Sequence, residues 1–432
     1  MDKIIVRGGQ KLSGKVEISG AKNSALPILA ASIMAEEPSI IHHVPKLKDV
    51  QTMLEILQFL GVEAQWIGPE TLKIDPSGFN QNNAPYELVR KMRASICLLG
   101  PLLGKTKKAT VSMPGGCVIG PRPIDLHLKG LKALNAQIQI EHGDVVADGS
   151  KMRGADVFLG GRFGSSVLAT ANIMMAACLT KGITTIESAA CEPEIVDLAE
   201  FLTKMGAKIE GAGSHVIRIE GQSRLKGTEH RIIPDRIEAG TYLVAAAVTG
   251  GSIHLERANF RHLFAVIDKL RETGTKIQAD ENTIHVTRSG SLKVVDVTTF
   301  PYPGFPTDMQ AQMMALMSVT EGISVISEKI YPERFMHISE LNRLGAKISL
   351  EGNSAVIVGK KILSGAPVMA SDLRASAALI LAGLLAEGET EIHRVYHLDR
   401  GYERIEEKLR LLGADIERVP ENLEEKVAAS VE

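Results

Sequence analysis

Leu409-Arg410-Leu411-Leu412-Gly413-Ala414 closes a pattern, L-x-x-[L/M/T]-G-[A/V/T], that the chain has already written several times. Earlier copies begin at Leu57, Leu202, Leu270 and Leu341, and a sixth, begun at Leu131, carries Asn135 where the others have glycine. The marker positions are 61, 135, 206, 274, 345 and 413, spaced by 74, 71, 68, 71 and 68 residues. Spacings this even divide the chain into six copies of one unit. The glycine ends an amphipathic helix by adopting positive φ, and the residues after it read as a strand.

Each unit holds a second helix of different character. Residues 24–35, 167–179, 240–248, 309–319 and 374–386 are apolar nearly all round, which predicts burial on every side. Most are followed by glycine and a strand, as in Gly251-Ser252-Ile253-His254-Leu255. A buried helix beside a half-exposed one predicts an α/β fold with helices inside and sheets outside. An ordinary parallel sheet covered by helices would give those helices polar outer faces. Six units of a 432-residue chain exceed one core, so two domains of three units each is the economical arrangement. Residues 420–432 are polar and read as a tail.

Hydrophobic content of 44% and charged content of 23% belong to a folded globular protein. A net charge of −2 argues against a dedicated nucleic-acid binder. The N-terminus has no signal-peptide core, and the longest nearly apolar stretch, 375–386, is too short to span a bilayer. The cysteines at 97, 117, 178 and 191 lie far apart, which suits free thiols in a reducing cytoplasm better than disulfides or zinc. No histidine pair has metal spacing, and neither GxxxxGK[ST] nor GxGxxG occurs.

Polar and charged residues gather where the buried helices begin: Lys22-Asn23-Ser24, Arg93-Ala94-Ser95, Ser165-Ser166, Asp235-Arg236, Thr307-Asp308 and Asp372-Leu373-Arg374. Free N–H groups and a partial positive charge make helix N-termini ready anion sites, and Lys22, Arg93 and Arg374 add full charges there. Capping and local ion pairs are the bland alternative at any single position. Equivalent placement in different repeats favours a phosphate or carboxylate ligand. The segment Pro114-Gly115-Gly116-Cys117-Val118-Ile119-Gly120-Pro121-Arg122-Pro123 reads as an exposed loop. Its thiol can serve as a nucleophile or proton donor, with Arg122 favouring the thiolate. Cys97 and Cys178 fall on apolar helices and read as core, and Cys191 is ambiguous.

Several of these stretches closely resemble the UDP-N-acetylglucosamine enolpyruvyl transferase (1-carboxyvinyltransferase) family of the EPSP synthase superfamily. They are Ser19-Gly20-Ala21-Lys22-Asn23, Met92-Arg93-Ala94-Ser95-Ile96, Pro114-Gly115-Gly116-Cys117, Phe305-Pro306-Thr307-Asp308-Met309-Gln310-Ala311-Gln312, Arg334-Phe335-Met336-His337, Asp372-Leu373-Arg374-Ala375-Ser376 and Asp399-Arg400-Gly401-Tyr402-Glu403-Arg404. The resemblance is collinear up to about residue 419. It implies two inside-out α/β barrel domains of three repeats each: 22–233, with the Cys117 loop, and 1–21 plus 234–419. Substrates of that family bind in the cleft, which closes around them.

The family moves the enolpyruvyl group of phosphoenolpyruvate to the 3′-hydroxyl of UDP-N-acetylglucosamine by addition–elimination, releasing phosphate. This opens cytoplasmic peptidoglycan synthesis, and with it serves cell shape and division; no cofactor is implied beyond a possible covalent adduct on Cys117. By resemblance Asp308 is the candidate base, and Cys117 protonates the enol carbon and is the thiol that fosfomycin alkylates. Lys22, Asn23, Arg122, Arg374 and Arg400 are implied phosphoenolpyruvate ligands, with Arg334 a nearby support. Asn23, Arg93, Arg122, Pro123, Ile124, Asp125, Leu126, Gly164, Ser165, Ser166, Val167, Asp308 and Ile330 match positions contacting the UDP-sugar.

Three departures from the family pattern stand out. Cys97 occupies a position that is Trp in some members, which alters packing beside Arg93. Leu168 replaces a frequent Gly next to the diphosphate stretch, where its side chain is expected to shift the loop. Cys191 falls at a variable position. Enolpyruvylshikimate phosphate synthase lacks the Pro-Gly-Gly-Cys loop, RNA 3′-phosphate cyclase relies on a nucleotidylated histidine, and a catalytically dead relative would have lost one of Lys22, Cys117, Asp308 or Arg400.

Overall fold

A computed structural model describes residues 2–113 and 124–421. The chain divides into two compact units, residues 19–235 with 301–303, and residues 2–18, 236–300 and 304–421.

All six marker positions take positive φ, from 71° at Asn135 to 105° at Gly206. Each ends one of six amphipathic helices: Lys48–Phe59, Asp125–Ala133, Pro193–Lys204, Phe264–Glu272, His337–Arg343 and Ile405–Leu411. Asn is the L-residue best suited to the left-handed region, which explains why position 135 tolerates it. At Gly61 a Cβ would lie 2.3 Å from the Gly78 carbonyl oxygen, so space as well as φ demands glycine there.

Six four-stranded sheets share one topology, a parallel edge pair followed by an antiparallel hairpin, as in Asp156–Phe158, Ile183–Glu187, Val216–Glu220 and Lys208–Glu210. Three sheets are completed from afar, one of them by Ser13–Glu17, which pairs parallel with Ser252–Glu256. Glu229–Arg231 pairs parallel with Ser39–His42, and Asp2–Arg7 enters between Glu389–His393 and Asp415–Pro420. That last strand runs to Pro420, which pairs with Asp2, one residue into the stretch read as tail; the rest of that tail from 422 lies outside the described residues.

Six buried helices fill the interiors: Lys22–Ser32, Leu99–Thr106 and Val167–Cys178 in one unit, Arg236–Thr249, Gln310–Ser318 and Leu373–Gly383 in the other. Within each unit they pack on one another while the sheets face outward, the arrangement the repeat pattern predicts. Neighbouring helices run parallel. Gly100 abuts Asn172 and Gly104 abuts Met175 and Ala176; likewise Gly240 abuts Met309 and Thr241 meets Gln312. A Cβ on Gly100 would lie 2.2 Å from the Asn172 carbonyl oxygen, so the first of these contacts needs glycine.

Parallel packing stacks helix dipoles in their unfavourable sense. Cations at the C-terminal ends offset it. Lys105 Nζ donates to the carbonyls of Ile33 (2.6 Å) and Ala35 (2.9 Å), and Lys107 Nζ to Gly104 (2.8 Å) and Leu179 (2.9 Å). Arg288 does the same at Ala247 and Val248 in the other unit. The N-terminal ends are left for the charged residues singled out above.

Candidate active site

In the unit of residues 19–235, Lys22 is the first residue of its helix, and Ala21 before it offers no side-chain cap. Asp235 Oδ2 accepts from the Lys22 backbone N–H at 3.2 Å, and Lys22 Nζ pairs with Asp49 Oδ2 at 3.2 Å. Beneath it the Ser24 hydroxyl donates to Asp197, a carboxylate buried on the apolar face of the helix Pro193–Lys204. Asp197 also accepts from His230 Nε2 at 2.8 Å and from the Ile233 N–H at 3.3 Å. Lys204 Nζ can only donate, so His230 Nδ1, 3.2 Å away, accepts from it, and Nε2 is the nitrogen that donates to Asp197. Asn23 is half-buried beside Lys22.

Arg93 opens a short 3-10 turn, Arg93–Leu98, that leads into the second buried helix. Burial, reinforced by the Arg93 charge, pushes the His127 imidazole down to about 3. Asn172 Nδ2 donates to His127 Nδ1 at 2.8 Å and to the Ile96 carbonyl at 2.8 Å, while its Oδ1 accepts from the Gly100 N–H at 2.8 Å. Cys97 sits in this turn fully buried, and burial pushes its thiol up to about 12. Ile124, Asp125 and Leu126 stand at the start of the helix Asp125–Ala133: the first buried, the second exposed, the third between.

Gly164, at φ 97°, precedes Ser165 and Ser166, and the Ser166 hydroxyl caps the third buried helix by accepting from the Ala169 N–H at 3.3 Å. Val167 and Leu168 lie in that helix and pack partly buried against the core. The side chain of Leu168 thus makes part of its contact with the hydrophobic core.

In the other unit, Asp308 lies in the 3-10 turn Thr307–Met309 at the head of a buried helix. Arg334 NH1 pairs with its Oδ1 at 2.7 Å and Arg374 NH2 with its Oδ2 at 3.0 Å. Both arginines are buried, with 5% and 2% of their surface exposed, so their charges act with little screening. Burial pulls the Arg334 pKa down, but Asp308 and Asp372 outweigh it and leave it raised. Arg374 lies in the first turn of the helix Leu373–Gly383 under the cap of Asp372 Oδ1, which accepts from the N–H groups of Arg374 (2.8 Å) and Ala375 (3.1 Å). Its guanidinium lies 5.4 Å from the Tyr402 ring centroid, a cation–π contact.

Beside this cluster, burial and the Arg334 charge hold His337 down at about 4 against the opposing pull of Asp372. Ile330 is half-buried, its N–H donated to Glu328. Arg400 ends the turn Val395–Arg400 and, after burial, is the next cause depressing the His397 pKa.

The structure thus gathers Asp308, Arg334 and Arg374 in one cluster and sets Lys22 among carboxylates. Cys117, Arg122 and Pro123 lie outside the described residues. The other three thiols are buried and free, and burial raises all of them, Cys178 to about 12 and Cys191 with help from Glu192. Asp197 and Glu328 are among the buried carboxylates that escaped the sequence reading. Their signal was periodicity: Asp197 stands on an apolar helix face, and Glu328 continues the inward positions Ser324 and Ile326 of the strand Gly322–Ser327. Among the described residues no group of three or more His, Cys, Asp or Glu could hold a metal ion, and no helix is long and apolar enough to cross a membrane.

The family described as EPSP synthase (3-phosphoshikimate 1-carboxyvinyltransferase) matches residues 6–409. A UDP-N-acetylglucosamine 1-carboxyvinyltransferase of Methylacidiphilum infernorum is 57% identical over 97% of this chain and 99% of its own. One from Akkermansia muciniphila is 51% identical over 98% of this chain and all of its own. Among solved structures, the enolpyruvyl transferase NikO of Streptomyces tendae superposes with a TM-score of 0.87 at 24% identity, covering 98% of this chain and 99% of that one. An EPSP synthase of Acinetobacter baumannii gives 0.75 at 20% identity, covering 97% and 100%.

Proposed function

The chain belongs to the EPSP synthase family, among its UDP-N-acetylglucosamine 1-carboxyvinyltransferases, and from that premise we infer its reaction and the residues that perform it. It transfers the enolpyruvyl group of phosphoenolpyruvate to UDP-N-acetylglucosamine, releasing phosphate, the first committed step of peptidoglycan synthesis. The sugar 3′-oxygen bonds to C2 of the enolpyruvyl group while C3 takes a proton. The tetrahedral phospholactoyl species then loses phosphate from C2 and a proton from C3, so the double bond returns in the product.

The observation that carries our assignment of the chemistry is the Asp308 carboxylate, fixed by Arg334 at 2.7 Å and Arg374 at 3.0 Å. A short side chain held from both sides keeps its acceptor oxygens in place, as a base for the sugar hydroxyl requires. Cys117 supplies the proton to C3. Lys22, Asn23, Arg122, Arg374 and Arg400 neutralise the phosphoenolpyruvate trianion. Arg93, the stretches 122–126 and 164–167, Asn23 and Ile330 hold the UDP-sugar. No cofactor takes part, since the substrates carry both the transferred fragment and its leaving group. Both substrates are phosphorylated anions of the cytoplasm, where we place the enzyme; its partners are these small molecules, with no nucleic acid and no membrane insertion.

Phosphate release should require phosphoenolpyruvate and the UDP-sugar together. Equal release with shikimate 3-phosphate in place of the UDP-sugar would overturn the reading. Fosfomycin followed by mass spectrometry should label Cys117 and spare Cys97, Cys178 and Cys191, whose burial suppresses the reactive thiolate. Label on any of those three would sink the assignment of Cys117.

A further inference from the structure

Glu328 follows the strand Gly322–Ser327 and is fully buried. Four hydrogen bonds converge on its carboxylate, none from a cation. Oε1 accepts from the Thr299 hydroxyl (2.7 Å) and from the backbone N–H groups of Ile330 (2.8 Å) and Tyr331 (2.9 Å). Oε2 accepts from the Thr307 hydroxyl at 2.9 Å. Thr307 has one proton to give, so donating it to Glu328 turns its lone pairs outward, where one accepts from Arg334 NH1 at 3.1 Å. The same Arg334 nitrogen holds Asp308 Oδ1 at 2.7 Å.

We propose that Glu328 is a positioning residue. Through Thr307 and Arg334 it fixes Asp308, and through its other oxygen it shapes the backbone at Ile330 and Tyr331. The inference rests on Asp308 being the base, as proposed above. Glu328 touches neither substrate in this account. It orients a hydroxyl whose polarity decides whether Arg334 is welcomed beside Asp308 or repelled. The near-isosteric glutamine cannot substitute. All four partners are donors, so its amide nitrogen faces a donor whichever way the group is turned, and one contact is lost or reversed.

The test is steady-state kinetics on the full chain for wild type, D308N, E328Q, T307V, T307S and the E328Q/T307V double variant. We expect E328Q and T307V each to lower kcat about 10- to 100-fold, the scale of misplacing a catalytic group. T307S keeps the hydroxyl and stays close to wild type. The double variant is no slower than the worse single, because both break one chain of contacts. E328Q also raises KM for the UDP-sugar through Ile330, whereas T307V leaves it unchanged. Effects of E328Q and T307V that multiply, or an E328Q enzyme at the wild-type kcat, overturn the proposal. Should E328Q not fold, T307V against T307S decides, and equal rates overturn it. A D308N enzyme as fast as wild type sinks the base assignment and this proposal with it. A slow D308N with multiplying effects sinks this proposal alone.

Discussion

The start of the helix Lys22–Ser32 and the start of the helix Gln310–Ser318 are built alike and charged oppositely. At each a hydroxyl donates to a buried carboxylate from another element, Ser24 to Asp197 and Thr307 to Glu328. Each then presents a charged residue, a lysine paired with Asp49 in one case and an aspartate between two arginines in the other. What differs is freedom. Lys22 carries its charge on a four-carbon stem with, among the described residues, one ion-pair partner at 3.2 Å, so it can turn toward an arriving phosphate without moving backbone. Asp308 is short, and both its oxygens are engaged by buried guanidiniums. One repeated scaffold thus yields a cation on a long stem and a fixed anion, which suits the division of labour we propose between a ligand for a departing phosphate and a base that must be aimed.

The largest test of that division is Asp308→Asn. Losing the charge while keeping the shape should lower kcat about 10²- to 10⁴-fold, measured as phosphate release, with the cooperative unfolding transition retained. A D308N protein with near-normal turnover would make the arginine cage a structural ion cluster and nothing more. Next is Lys22→Met, expected to cost about 10²-fold in kcat/KM for phosphoenolpyruvate. Adding Asp49→Leu should recover stability without recovering that loss. Recovery of both would reduce Lys22–Asp49 to a dispensable buried pair.

A smaller effect comes from pH. His127 beside Arg93 and His337 beside Arg334 are held at about 3 and about 4, below the ordinary 6.5, so both are neutral in the fold while the unfolded chain binds protons first. Stability is therefore full above about pH 6.5 and falls as pH drops through 4 toward 3. His337→Gln should flatten the upper part of that decline, read from denaturant midpoints between pH 7 and pH 4; an unchanged slope would show that the histidine is not the group responsible. Smallest is Ser24→Ala, about 1 kcal/mol of stability with little change in kcat. A large kcat loss there would mean that Lys22 is aimed as strictly as Asp308.

The repeat and its glycine markers made the fold legible, because positive φ after an amphipathic helix leaves a one-residue signature that even Asn135 preserves. Residues whose chemistry is local, Lys22, Arg93, Asp308 and Arg374, were legible as charges at helix starts, and the resemblance gave them roles. The packing of Leu168 was not legible for a tertiary reason. One position decides whether a side chain near Ser166 faces the loop or the core, and packing settled it toward the core. Glu328 and Asp197 stayed hidden because a lone carboxylate looks solvated until the donors that surround it, several of them from segments far apart in the chain, are brought in. Ile330 and Tyr331 give Glu328 their N–H groups only through the turn that follows it.

The strand Asp2–Arg7 is made long before its partners Glu389–His393 and Asp415–Pro420, which lie far along the chain. At ordinary synthesis rates it waits tens of seconds for its neighbours. Residues 19–235, by contrast, are complete when little more than half the chain has been made. The enzyme is therefore expected to mature in two acts: the lysine-bearing unit closes first, and the aspartate-bearing unit gains its last sheet only once Glu389–His393 and Asp415–Pro420 have been made. Until then the chain carries two unpaired strand edges that a chaperone, or a second unfinished copy, can reach.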